Sequence, residues 1–160
     1  MPKVKTVKTP LLLQLSLVNI VPIKNHSMAL HSFITLFQKK SIFIMTAIPG
    51  HATVYQILRA GNGDAVVRGK TVTVHATGVV KETGKKFWST KDAGQKPFTY
   101  RAGVGEVITG WDQGLLGMRL GEERMLTIPA KEGYGAAGFP AWGIPPGGTL
   151  EFTLEVLSIK

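Results

Sequence analysis

The chain contains no cysteine. That absence removes a disulfide framework, a thiolate nucleophile and any zinc–thiolate site. Histidine is sparse too: His26, His31, His51 and His75 are scattered, and none stands at a metal-ligand spacing with carboxylates. The expectation is therefore no metal and no cofactor. Serine is nearly missing from residues 46–160, where only Ser89 and Ser158 occur, neither in a nucleophile elbow. Asp92 and Asp112 have no evident partner. GVGEVITG (103–110) begins like a phosphate cradle, but no lysine follows where one is required. Hydrolase and kinase chemistry find little support.

Acid is missing locally. Residues 1–45 hold six lysines and no Asp or Glu, whereas 46–160 carry 13 Lys and Arg against 10 acids. Two thirds of the net charge of +9 thus lies in the first 45 residues. Basic residues are not interleaved with aromatics as single-strand binding requires, so no nucleic-acid partner is expected. Long apolar runs are lacking as well. The best, Leu11–Ile23, is interrupted by Gln14, Asn19 and Pro22 and is too short to span a bilayer. Residues 1–45 admit three readings: extraneous or upstream sequence ahead of a start at Met45, a targeting segment, or a structured domain, in that order. A cytoplasmic location is expected, or an organelle if 1–44 is a working targeting segment.

Residues 46–160 are coherent. TVTVHATGVV (71–80) alternates, with Val72, Val74 and Ala76 on one face and Thr71, Thr73, His75 and Thr77 on the other, which predicts a half-buried strand. KETGKKF (81–87) supplies a hairpin turn. RMLTIPA (124–130) predicts a short strand stopped by Pro129. TLEFTLEV (149–156) alternates again with Leu150, Phe152, Leu154 and Val156 inward, and ATVYQILR (52–59) is a further strand. EVITGWDQGLLGM (106–118) breaks the rhythm: Val107, Trp111 and Leu115 recur every four residues, the mark of a short amphipathic helix. Gly110 and Gly114 inside it each cost about 1 kcal/mol against alanine, which makes sense if another element lies close to the helix backbone. The predicted class is α+β: a curved antiparallel sheet of five to six strands wrapped around one short helix.

Gly133–Gly148 reads GYGAAGFPAWGIPPGG, with six glycines, three prolines and no charge, yet it keeps Tyr134, Phe139, Trp142 and Ile144. Such a loop either packs on its own domain or forms a flap over an apolar site. Aromatics recur elsewhere: Phe87 beside Trp88, Phe98 and Tyr100 in KPFTY, Trp111 on the helix and Phe152 in the last strand. Core burial accounts for Tyr100 and Phe152. Trp111, between glycines on so short a helix, could present a flat floor to a ligand cavity.

These residues resemble a single-domain FKBP-type peptidyl-prolyl cis-trans isomerase, in order, from about residue 52 to residue 160. The carriers are TVTVHATGVV, GKKFWSTKD, QKPFTYRAGVGEVITGWDQGLLGM, GEERMLTIP and GYGAAGFPAWGIPP. FWSTKD with GFPAWGI is most similar to plant-type cytosolic members. The resemblance implies a pocket between sheet and helix. It implies Trp111 as the floor under the prolyl ring, with Phe87, Phe98, Val107, Ile108, Tyr134, Ile144 and Phe152 as walls and Tyr100 in the same ligand-binding set. The Ile108 N–H, the Tyr134 hydroxyl and the Glu106 carbonyl would be polar handles, and Phe87, Ile108, Trp111 and Tyr134 the catalytic group. Expected partners are proline-containing peptide or protein segments, with tacrolimus or rapamycin and their phosphatase or kinase targets, bound by a monomer. A non-catalytic protein-binding module is the alternative. Ala76 replaces a wall tyrosine of animal-type members and Trp88 replaces their pocket aspartate, which implies weaker drug binding. The loop between Tyr134 and Ile144 is one residue longer than theirs.

Overall fold

Val72, Val74, Ala76 and Val80 are buried, while the residues between them on strand Thr71–Val80 are half-exposed, apart from the buried Gly78. The structure, a computed structural model of the chain, describes residues 44–160. The readings made for residues 1–43 lie outside the described residues.

In chain order the elements are β1 (Thr46–Ala47), β2 (Val54–Arg59), β3 (Asn62–Ala65), β4 (Thr71–Val80), β5 (Lys85–Ser89), β6 (Phe98–Arg101), α1 (Thr109–Leu115), β7 (Arg119–Leu120), β8 (Glu123–Ile128) and β9 (Leu150–Ile159). Seven strands form one antiparallel sheet in the order β1-β2-β8-β9-β4, and two strands share the far edge of β4. There β6 pairs with Thr71–Val74 and β5 with Thr77–Val80. The expected five to six strands become seven because the two-residue β1 adds to β2. β3 and β7 make a separate two-stranded ladder.

Inward residues of β4, β8 and β9 meet α1 in one core that includes Val72, Leu115, Leu126, Ile128, Phe152 and Leu154. The helix is shorter than its amphipathic pattern. It starts only after Ile108, whose backbone is extended (φ −55°, ψ 145°), so Val107 and Ile108 lead into it rather than lying on it. The glycines have the expected reason. A Cβ on Gly114 would stand 2.6 Å from Leu126 Cδ1, and one on Gly110 would stand 2.5 Å from Thr53 Oγ1. Their lack of a side chain lets α1 lie directly on β8.

Alternation along β8 sends Arg124 inward with Leu126 and Ile128. Arg124 is buried and fully engaged. It pairs with Glu122 at 2.7 Å, donates to the Gly114 carbonyl at 2.8 Å and stands 3.9 Å above the Tyr55 ring. A buried guanidinium is tolerable only when its donors are met. Here it satisfies an orphan carbonyl in the last turn of α1 and ties that helix end to the sheet.

Candidate functional site

The site begins at a break in strand pairing. Gly78 faces Trp88 but Val79 faces Lys86, so Phe87 is an extra residue, a β-bulge. The bulge interrupts the two-residue alternation of β5. Two successive aromatics can then approach the same aromatic cluster: Phe87 meets Phe152 edge-on at 5.5 Å, and Trp88 meets Trp111 at 6.2 Å. From β6, Phe98 approaches Trp111 at 5.9 Å, and Tyr100 stacks behind Phe98 at 5.5 Å. Phe152 of β9 lies against Trp111 at 4.8 Å.

The approach to the helix is held by Asp112. Its two carboxylate oxygens accept the backbone N–H groups of Gly103 (2.8 Å) and Gly105 (2.9 Å). Asp112, without an evident partner in the sequence, thus staples the loop that delivers Glu106, Val107 and Ile108. Asp92 finds Lys86. The Glu106 carboxylate accepts from the Arg101 backbone N–H (3.0 Å) and Nε (3.3 Å).

The glycine- and proline-rich loop resolves into two one-turn 3₁₀ segments, Gly135–Ala137 and Pro140–Trp142, preceded by a third at Ala130–Glu132, and its side chains divide. Ile144 enters the core, Tyr134 and Trp142 border a cavity, and Phe139 is 37% exposed. The loop also packs on itself, with Tyr134 on Phe139 at 5.3 Å and Phe139 on Trp142 at 5.2 Å. Both readings of this loop therefore apply, and Tyr134 and Trp142 serve in both. Reciprocal hydrogen bonds between Phe139 and Ile144 close its tip. Gly138 has φ 65°, and a Cβ there would strike the Ile144 and Pro145 carbonyls, so no other residue fits.

Between sheet, helix and loop lies a cavity of about 490 Å³, lined by Trp88, Phe98, Glu106, Val107, Ile108, Trp111, Tyr134, Trp142 and Phe152. That volume suits a small ligand or one or two side chains. Phe87, Tyr100 and Ile144 are not on the lining; they back it. Phe87 is stacked on Trp142 at 6.1 Å. Trp88 and Trp142 do line it. The resemblance placed Trp88 at the position of a pocket aspartate and the flap reading included Trp142, but neither was named among the expected walls; Trp142 lies on a loop without a period to read. Trp111 is 5% exposed, and that remainder belongs to the cavity.

Burial pushes the Tyr100 phenol up, and the nearby Asp112 carboxylate adds to the effect. The Tyr100 ring meets Trp111 edge to face at 6.2 Å, yet the phenol and the indole N–H do not reach hydrogen-bond geometry. Both polar atoms are buried without a partner among the described residues. Burial alone raises the Tyr134 phenol, so its hydroxyl keeps a proton to donate at neutral pH. No group of His, Asp and Glu among the described residues could hold a metal ion. No helix among them is long and apolar enough to cross a membrane.

The family profile described as FKBP-type peptidyl-prolyl cis-trans isomerase matches residues 63–157. The chain belongs to this family. It is 52% identical over 107 residues to the peptidyl-prolyl cis-trans isomerase FKBP12 of Arabidopsis thaliana, covering 66% of this chain and 96% of that protein. It is 57% identical over 104 residues to the protein of the same name from Vicia faba, covering 64% and 93%. The crystal structure of AtFKBP13 superposes with a TM-score of 0.64 at 34% identity, covering 73% of this chain and 99% of that one.

The isomerase accelerates Xaa–Pro rotation, and the site has the right character for it. The reaction makes and breaks no covalent bond. Its barrier of about 18–20 kcal/mol is lost amide resonance. Shortening an exchange of ~10–100 s to about 10 ms takes roughly 10³–10⁴-fold, or about 4–5.5 kcal/mol. That demands tighter binding of the twisted amide than of either planar form, and no nucleophile. A largely apolar cavity with a few polar groups at its border meets the demand.

Proposed function

We propose that the prolyl ring of a peptide or protein segment rests on Trp111, between Phe98, Val107 and Phe152. The Ile108 N–H and the Tyr134 hydroxyl hold the flanking carbonyls, and the Glu106 carbonyl accepts a further N–H. With both flanks held, rotation is confined to one bond. The apolar walls favour the twisted amide, which has less charge separation than the planar one. Phe87 and Ile144 act from behind, by keeping Trp142 and the loop in place.

The observation that carries this reading is the single cavity bordered by Trp111, Ile108 and Tyr134 together. A protease-coupled assay on a Leu-Pro peptide tests it. Turnover should exceed buffer by orders of magnitude and be inhibited by a proline-mimetic ligand. A rate equal to buffer would sink it.

The same cavity takes tacrolimus or rapamycin in this proposal, more weakly than a site with a polar group at position 88, because the Trp88 indole replaces that partner with apolar surface. Titration calorimetry with tacrolimus reads this directly. We further propose a monomer acting in the cytoplasm, a reading supported by the likeness to plant-type members. Sedimentation tests the first part. Fractionation, together with the intact mass of the mature protein, tests the second.

A further inference from the structure

We propose that Trp88 and Trp142 form a second compartment of the cavity that selects an aromatic side chain next to the substrate's proline. The proposal rests on the reading of Trp111 as the prolyl floor. Both indoles line the same cavity as Trp111, and neither is needed to hold the prolyl ring. From the floor outward the aromatic surface continues: Trp88 lies 6.2 Å from Trp111 at 43°, and Trp142 lies 6.5 Å from Trp88 with its plane parallel to within 4°. In this proposal a residue beside a proline seated on Trp111 packs against the aromatic surface that these two indoles give to the cavity.

Trp142 is the part that a ligand would cover. It is 43% exposed, so it has indole surface to bury. It is also held in place. Phe87 stacks on it at 6.1 Å, Phe139 meets it edge-on at 5.2 Å, and the Phe139–Ile144 bridge fixes the loop that carries it. A ring ordered before binding loses little freedom when covered, which favours affinity.

Charge bears on one alternative occupant. Glu106 brings the only ionisable carboxylate to the lining, and that group is taken up by Arg101. Lys85 stands beside Gly143, the residue after Trp142: its Nζ lies 3.7 Å from where a Cβ on Gly143 would be. The Lys85 ammonium would repel a Lys or Arg side chain of the substrate and attract a carboxylate, so it argues only against a cationic residue beside the proline. An aromatic ring gains from both indoles. Aromatic pairing beyond simple area burial corresponds to about a 2–12-fold effect in kcat/KM.

The test is a protease-coupled series on the full chain with peptides Ala-Xaa-Pro-Phe, where Xaa is Phe, Trp, Leu or Ala. The readout is the ratio of kcat/KM for Phe-Pro to that for Leu-Pro. We expect about 2–12 for the wild type, a ratio near 1 for Trp142→Ala and Trp88→Leu, and retention in Trp142→Phe. Absolute turnover will fall in all three variants. Trp142 is on an exposed loop, so its variants should fold, which far-UV circular dichroism verifies. A wild-type ratio near 1, or one unmoved by Trp142→Ala, overturns the selectivity while leaving the prolyl floor standing. Absence of turnover on every peptide overturns the floor as well.

Discussion

Glu132 holds Thr53 twice, through its backbone N–H at 2.8 Å and through its hydroxyl at 2.6 Å. The other carboxylate oxygen accepts the Ala52 N–H at 2.7 Å, and His51 Nδ1 stands 3.7 Å away. Thr53 is fully buried, and its hydroxyl lies against Gly110 of the helix. One carboxylate thus joins the start of β2 and α1 to the loop two residues before Tyr134. Removing hydrogen bonds to a charged group typically costs about 1.5–3 kcal/mol. Glu132→Ala should lower stability by about that much and raise KM more than it lowers kcat. An unchanged denaturant midpoint would refute the clamp.

The pH dependence follows from the same carboxylate and two others. Burial pushes Glu132 up, but the bonds from Thr53 and Ala52 outweigh it and leave the group below its ordinary 4.5. Glu155 is also held below 4.5, mainly by Lys91, and Glu82 by the Thr149 N–H. A lowered folded-state pKa stabilises fully above the unfolded value, and that stabilisation is lost as pH falls through the folded value. Tyr100 and Tyr134 are raised above 10.0, so the unfolded chain loses those protons first and stability falls above that pH. Melting temperature should be flat between these limits and drop on both sides. Glu132→Gln should reduce the acid slope; an identical slope would separate Glu132 from acid unfolding.

Two tyrosines of the site should respond oppositely to loss of a hydroxyl. Tyr134 borders the cavity, so Tyr134→Phe should weaken ligand binding by about 0.5–1.5 kcal/mol with little change in stability. The Tyr100 hydroxyl is buried and unpartnered. Tyr100→Phe should leave turnover nearly intact and stabilise the fold by about 1 kcal/mol, because an unsatisfied buried group is removed. Destabilisation by Tyr100→Phe would mean that a bound water satisfies the hydroxyl.

Trp111 is both floor and core, so alanine is the wrong probe. Trp111→Ala should cost about 3–5 kcal/mol, comparable to the whole margin of a small domain. Trp111→Leu keeps part of the volume filled. It should lower kcat/KM by about tenfold or more while leaving a cooperative melt, because the flat face under the proline is lost. Equal losses in binding and folding would reduce Trp111 to a core residue.

Gly114→Ala sets two rules against each other. Helix propensity predicts a gain of about 1 kcal/mol. Packing predicts a loss of about 1–3 kcal/mol, since Leu126 is fully buried and cannot move aside. The net effect should be destabilising, as measured by chemical denaturation. A more stable variant would show that α1 can shift on β8.

Residue types repeating with a period were enough to identify β4 and β9 and to say which of their side chains face inward, because one buried face imposes that period; β8 was legible as a short strand, but not its inward face, which includes Arg124. Gly110 and Gly114 signalled in advance that something would press on the helix. Other features depended on the chain being folded. The bulge at Phe87, which lets Phe87 and Trp88 approach one aromatic cluster, leaves no mark in the sequence period. Asp112 found its partners in backbone N–H groups, which carry no sequence signal. Trp142 reached the cavity from a loop whose path is set by Gly138 and by the Phe139–Ile144 bonds. Periodicity and the placement of glycines thus determined the class of fold, and the motifs that carry the family resemblance implied the reaction. Which aromatics share the cavity was decided by contacts between residues distant in sequence, because a cavity exists only where separate elements fail to close on one another.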